Sequence, residues 1–133
     1  MDNSYKKIAE HYDSCFKKHG DSHLGVDWPI HKDTLIRHEV MLGVTKEESD
    51  VSILDFGCGL GHFYEYLQIN DHINSIKYSG MDINRDMLKS CVKKYPDVDF
   101  YHVDILGQEF EFSQVPNFDY IICNGVFTEK RDL

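Results

Sequence analysis

The chain has 133 residues, enough for one domain and too few for two of ordinary size. Its 41% hydrophobic and 28% charged residues are those of a globular protein, and the formal net charge of -9 argues against a broad nucleic-acid-binding face. No apolar run approaches the roughly 20 residues that span a bilayer, and MDNSYKKIAEHY lacks the apolar core of a secretory signal, so a cytoplasmic protein with no membrane or nucleic-acid partner is expected.

The first element, SYKKIAEHYDSCFKKHG, reads as an amphipathic helix in which Ser4 caps the start, Ile8, Tyr12, Cys15 and Phe16 share a face, and Gly20 ends it. After the polar loop DSHLGVDW, Pro29 opens a second helix, PIHKDTLIRHEVMLGV, whose buried side is expected at Leu35, His38, Val40, Met41 and Leu42. These two helices make up an N-terminal segment, residues 1–50, placed as a lid or cap. Residues 51–133 then alternate. VSILDF is a strand and HFYEYLQIN a helix; IKYSGMDI is a strand and RDMLKSCVKKYP a helix stopped by Pro96. VDFYHVDI is a strand, GQEFEFSQVPN a weakly helical connector, and FDYIICNGVF a strand with its exit loop. Alternation of this kind predicts an α/β fold around a mostly parallel sheet.

Cys15, Cys58, Cys91 and Cys123 form no CxxC pair, and free thiols are expected over two disulfides. Eight histidines show no HExxH spacing, and no metal is expected.

Open α/β sheets bind ligands outside the carboxyl ends of their strands. Each expected strand here carries a polar residue at that end: Asp55, Asp82, Asp104 and Asn124. Between the first strand and its helix lies DFGCGLG, with Gly57, Gly59 and Gly61 at alternate positions. Glycines suit a backbone that turns with positive φ or lets a ligand come close. A dinucleotide fingerprint would put its third glycine at His62, which disfavours a nicotinamide oxidoreductase. Asp82, 27 positions after Asp55, stands where a carboxylate would accept from ribose hydroxyls and repel a 2′-phosphate.

From about Val51 to Lys130 the sequence resembles the class I S-adenosylmethionine-dependent methyltransferases, whose first motif has the form DxGxGxG. The resemblance implies a Rossmann-like sheet in order 3-2-1-4, behind two N-terminal helices. The family sheet continues to seven strands, so this chain is expected to hold the cofactor half only, as a fragment or as a small protein that retains it. The resemblance also implies the site. Gly57, Cys58 and Gly59 would lie against the methionine part of S-adenosylmethionine, with loop amides and the helix N-terminus helping its carboxylate. Asp55 would orient the loop or meet the ammonium through water. Asp82 would hold the ribose and Ile83 the adenine, with Asp104 and Ile105 at the adenine rim. Asn124, Gly125 and Phe127 would face the reactive methyl group. Tyr5, Tyr12 and Trp28 are candidates for a lid, and His19, His38 and His62 are candidate bases with no visible partner. NGVFTEK departs from the DPPY-type motif of enzymes that methylate nucleic-acid amines, which favours a small-molecule acceptor.

Two functions stay open: a small-molecule methyltransferase that yields S-adenosylhomocysteine (SAH), and a non-catalytic module that binds S-adenosylmethionine or another protein. With only the cofactor half present, turnover by this chain is expected to be poor. Tyr120, Ile121, Ile122 and Cys123 form an apolar run on a strand left at the sheet edge, which predicts a homodimer built around residues 118–127.

Overall fold

The computed structural model describes residues 4–46 and 48–124. Its four parallel strands, β1 (Val51–Phe56), β2 (Ile76–Asp82), β3 (Asp99–His102) and β4 (Tyr120–Ile122), lie in the order β3-β2-β1-β4. This is the order that the family resemblance implies. Helices α1 (Ser4–His19) and α2 (His31–Leu42) precede the sheet, while α3 (His62–Ile69) and α4 (Arg85–Lys94) connect β1 to β2 and β2 to β3.

β1 is the central strand. Val51–Phe56 pair with Ile76–Met81 on one side, and Ile53–Asp55 with Tyr120–Ile122 on the other. Val51, Ile53, Leu54 and Asp55 are buried on both faces of the sheet, which is why VSILDF is nearly continuous in apolar residues. The chain steps outward from β1 to β2 and β3, then returns to the far side of β1 for β4. Parallel crossovers are right-handed, so α3 and α4 fall on the same face. The aromatic contact between Tyr64 of α3 and Tyr95, at the end of α4, agrees, with ring centroids 4.8 Å apart. Strand order reverses between β1 and β4, and a crevice opens there at the strands' carboxyl ends.

The core packs Val51 and Ile53 of β1 against Phe63 and Leu67 of α3, Ile76 and Tyr78 of β2, and Ile122 of β4. Met41 and Leu42 bring the end of α2 onto the same cluster. The start of β4 is fixed by Asp119, whose carboxylate accepts from the amide (2.8 Å) and hydroxyl (3.0 Å) of Ser52.

Several boundaries shift from the sequence expectation. α1 ends as expected, with Gly20 at φ +64° and its N–H donating to Phe16 O at 2.8 Å. α2 starts at His31 with Ile30 as its N-cap, so Pro29 leads into the helix without opening it. Leu35 and Val40, expected on the buried side, are 43% and 67% exposed. The inward stripe is Thr34, His38, Met41 and Leu42, at the i, i+4, i+7, i+8 spacing of one helix face. Its first two positions are polar because that part of the helix looks into a cavity. The connector before β4 forms only a 3₁₀ turn at Phe112–Gln114.

Gly80 of β2 marks the tightest approach in the sheet. A Cβ there would lie 2.8 Å from Cys58 Sγ and 2.8 Å from the Phe100 ring. Gly80→Ala should therefore destabilise the fold by about 1–3 kcal/mol, the usual cost of overpacking, read from denaturant unfolding. An unchanged midpoint would mean that the Phe100 ring swings aside freely.

Candidate functional site

The glycine loop after β1 is hung on the neighbouring strand. Gly57 N (2.7 Å) and Cys58 N (3.0 Å) both donate to Met81 O, and Gly59 N donates to Asp82 Oδ2 at 2.8 Å. Gly57, Gly59 and Gly61 all have positive φ, between +55° and +75°. These are values that glycine adopts without strain. The amides of Gly57, Cys58 and Gly59 are thus engaged within the protein. They hold the loop, and the loop turns its bare glycine backbone toward the cavity.

Three carboxylates stand at the strand ends. Asp55 is buried and accepts from Tyr78 Oη at 2.8 Å; burial pushes its pKa up to about 7, partly offset by that hydrogen bond, and the Asp82 charge adds to the rise. Asp82 accepts from Gly59 N through Oδ2 and from Asn84 N through Oδ1, each at 2.8 Å. Burial raises its pKa, while the amides of Asn84, Gly59 and Ile83 pull it back. The cap of α4 is Asn84, whose side chain accepts from Met87 N at 2.9 Å; Asp82 is free of that structural duty. Asp104, in the loop after β3, accepts from Tyr5 Oη at 2.9 Å and from Leu106 N at 3.1 Å.

These groups line one cavity of about 560 Å³, within the roughly 300–1,000 Å³ of small-molecule sites. Its walls include Asp55, Gly57, Cys58, Gly59, Asp82 and Ile83 from the β1 and β2 ends, and Asp104, Ile105 and Asn124 from the loops after β3 and β4. Gly125 and Phe127, expected beside Asn124, lie outside the described residues. The N-terminal helices close the other side through Tyr5, Tyr12 and Trp28. Trp28 is held in place by the Arg37 guanidinium, 4.3 Å above its ring, and by its carbonyl, which lies 2.6 Å from His23 Nδ1.

Of the three candidate bases, His19 is exposed and does not line the cavity. His62 lines it but is bound to Asp21 at 2.8 Å, and Lys94 holds the other oxygen of that carboxylate at 2.6 Å. His38 is buried at the cavity wall, its pKa lowered to about 4 by burial and by the nearby His62 and His31. Sequence reasoning missed Val26, Thr34, Met87 and Leu106, which also line the site. Only Thr34 left a trace, as a polar residue one turn before His38.

Cys15, Cys58, Cys91 and Cys123 are thiols, as expected. Cys58 fits beneath the loop, and its thiol is pushed up by the hydrogen bond with Cys91 and by burial. Among the described residues, His11, Cys15 and Asp27 bring potential ligand atoms within 4.8 Å of one another, outside the cavity. The 2.8 Å contact between His11 and Asp27 accounts for that approach. No helix of the described residues is long and apolar enough to cross a membrane.

A parallel sheet in this order, with a glycine loop after β1 anchored on an acid that closes β2, defines the cofactor-binding part of a class I methyltransferase. The chain belongs to the methyltransferase-domain family, whose model matches residues 53–132. Among solved structures it is similar to the plantazolicin methyltransferase BpumL in complex with a triazolic desmethylPZN analog and SAH. That match has 24% identity and a TM-score of 0.50, covering 90% of this chain and 41% of that one. It also matches an S-adenosylmethionine-dependent methyltransferase from Clostridium acetobutylicum ATCC 824, with 20% identity and a TM-score of 0.49, covering 91% of this chain and 44% of that one. The chain thus spans about two fifths of the length of these structures. No curated protein matches it.

The buried Asp55 gives the site a pH signature. Its carboxyl has an ordinary pKa of 3.8 and about 7 in the fold. Between those values the folded state keeps a proton that the unfolded chain has lost, so stability falls as pH rises through this window. Asp55→Asn removes the effect and keeps an acceptor for Tyr78. It should stabilise the protein by about 2–4 kcal/mol at pH 8, with the gain closing toward pH 4. Denaturant unfolding across that range checks it; parallel curves would show that the burial of this charge costs nothing.

Proposed function

We propose that this chain binds S-adenosylmethionine in the cavity and presents its methyl group to a small-molecule acceptor. The observation that carries the reading is the cavity's chemistry. Asp55, Asp82 and Asp104 stand among apolar walls, and no Lys or Arg is among the described lining residues. Such a site favours a ligand with cationic groups and disfavours a dinucleotide, whose pyrophosphate would meet three carboxylates and, among the described lining residues, no Lys or Arg.

When bound, S-adenosylmethionine supplies an already activated methyl group on a sulfonium. The chain's own residues bind and orient. Asp82 accepts from Gly59 N through Oδ2 and from Asn84 N through Oδ1, with the Ile83 amide also acting on the carboxylate, and its remaining lone pair would take a ribose hydroxyl. Ile83 would pack on the adenine, with Asp104 and Ile105 at its rim. Gly57, Cys58 and Gly59 would take the methionine end, with Asp55 beneath them, and Asn124 would stand on the methyl side. Tyr12 and Trp28 would cover the site and exclude water. Fixing donor and acceptor in line can supply roughly 7–11 kcal/mol of barrier reduction, so alignment is the main demand on the protein.

Calorimetric titration tests the reading directly. S-adenosylmethionine and SAH should bind, and NAD should bind at least about a hundredfold more weakly. Asp82→Asn keeps an acceptor for Gly59 N and loses the charge. It should cost about 1.5–3 kcal/mol, roughly ten- to a hundredfold in Kd. Wild-type affinity in this variant would remove Asp82 from the site.

The β4 edge supports a further part of the proposal, a homodimer through residues 118–127 in a cytoplasmic setting that keeps the thiols reduced. Ile121 is 63% exposed on that edge, and exposed apolar edges recruit a second chain. Light scattering should report a dimer that Ile121→Lys converts to monomer. A monomeric wild type at high concentration would refute it.

A further inference from the structure

Three buried polar atoms in the described structure have no hydrogen-bond partner: Thr34 Oγ1, His38 Nδ1 and Asn124 Oδ1. All three residues line the same cavity. Buried polar groups are almost always paired, and each unpaired one costs about 1–3 kcal/mol unless a ligand or water completes it. Thr34 and His38 are only 4% and 5% exposed. They lie one turn apart on α2 and so share a helix face. Asn124 follows β4, next to the end of β1. None of the three belongs to the set that would hold the ribose and adenine.

We infer that Thr34, His38 and Asn124 form the acceptor subsite, which takes an uncharged O–H or N–H group carried on an aromatic or apolar body. This rests on the proposed cofactor reading of the same cavity and deepens it by naming the acceptor's chemistry. Asn124 Oδ1 accepts only, so the acceptor must bring a donor hydrogen. Thr34 both donates and accepts. The imidazole is neutral at pH 7, because burial holds it well below its ordinary pKa, and its Nδ1 offers one polar atom and no charge. The charged groups that bear on it are few: His62 and His31 act on it across space, and the rings of Phe63 and Tyr66 pack against it at 5.5 and 5.6 Å. Among the described lining residues no Lys or Arg offers a partner for an anionic acceptor, and Phe63, Tyr12 and Trp28 supply aromatic wall for the acceptor's body. This set of atoms favours an uncharged nucleophile over a carboxylate or phosphate.

The test uses phenol, toluene and benzoate as probes on the full chain saturated with SAH, with affinities read by NMR titration. Phenol should bind at least about tenfold more tightly than toluene or benzoate, and should shift the His38 imidazole nitrogen resonances where toluene does not. Thr34→Val, which keeps shape and removes the hydroxyl, should erase most of the preference for phenol while the SAH affinity stays within twofold of wild type. Equal binding of phenol and toluene, tighter binding of benzoate, or an unaltered preference in Thr34→Val would overturn the inference. So would SAH binding with no probe bound at all. Failure of the wild type to bind SAH would instead overturn the cofactor reading, and the subsite would fall with it.

Discussion

The end of β2 holds the site together. Met81 O takes two amides of the glycine loop, and the next residue, Asp82, takes a third from Gly59. A loop of alternating glycines has little preference of its own, and the backbone entropy of ordering it is large. Strand pairing between β1 and β2 brings Met81 opposite Phe56, and that register sets where the loop can hang. The geometry of the cavity floor therefore follows from the sheet. Gly80 belongs to the same constraint, because the loop's Cys58 and β3's Phe100 close on it from two sides.

Charge placement works against this stability. A buried Asp55, with Tyr78 as its one hydrogen-bond donor in the structure, and a neighbouring Asp82 are an expensive pair in a chain of this size. In the proposed reading such a cost would be offset when the cationic ligand enters, so that the features weakening the fold would also select the ligand. The thermodynamic link runs both ways: ligand binding should be felt as resistance to unfolding.

Much of the fold was legible because its signals are local. VSILDF reads as a buried strand through its continuous apolar run, and the residues HFYEYLQI that follow the glycines form α3 as its spacing predicts. The polar strand ends picked out in the sequence, Asp55, Asp82, Asp104 and Asn124, also meet at one cavity. What failed were inferences that needed a neighbour. Leu35 and Val40 looked like core because they are apolar, but the helix face is set by what lies across from it. Thr34 left only a faint trace, one turn before His38, because an isolated threonine carries no periodic signal; the cavity is what shows that its hydroxyl is stranded.

Besides the packing of Met41 and Leu42 on the core, polar contacts of unequal strength fasten α1 and the α1–α2 loop to the rest of the chain. Tyr5 meets Asp104 by a single neutral-donor hydrogen bond, while Asp21 in the α1–α2 loop grips both His62 and Lys94. Burial pulls the Asp21 carboxyl up, but the hydrogen bonds from Lys94 and His62 outweigh it and hold it below its usual range. The first fastening is a latch that one rotamer change releases; the second is a hinge that persists until acid protonates Asp21, below its ordinary pKa of 3.8. Any loosening of α1 from the cavity would therefore begin at Tyr5 and leave the hydrogen bonds of the glycine loop intact.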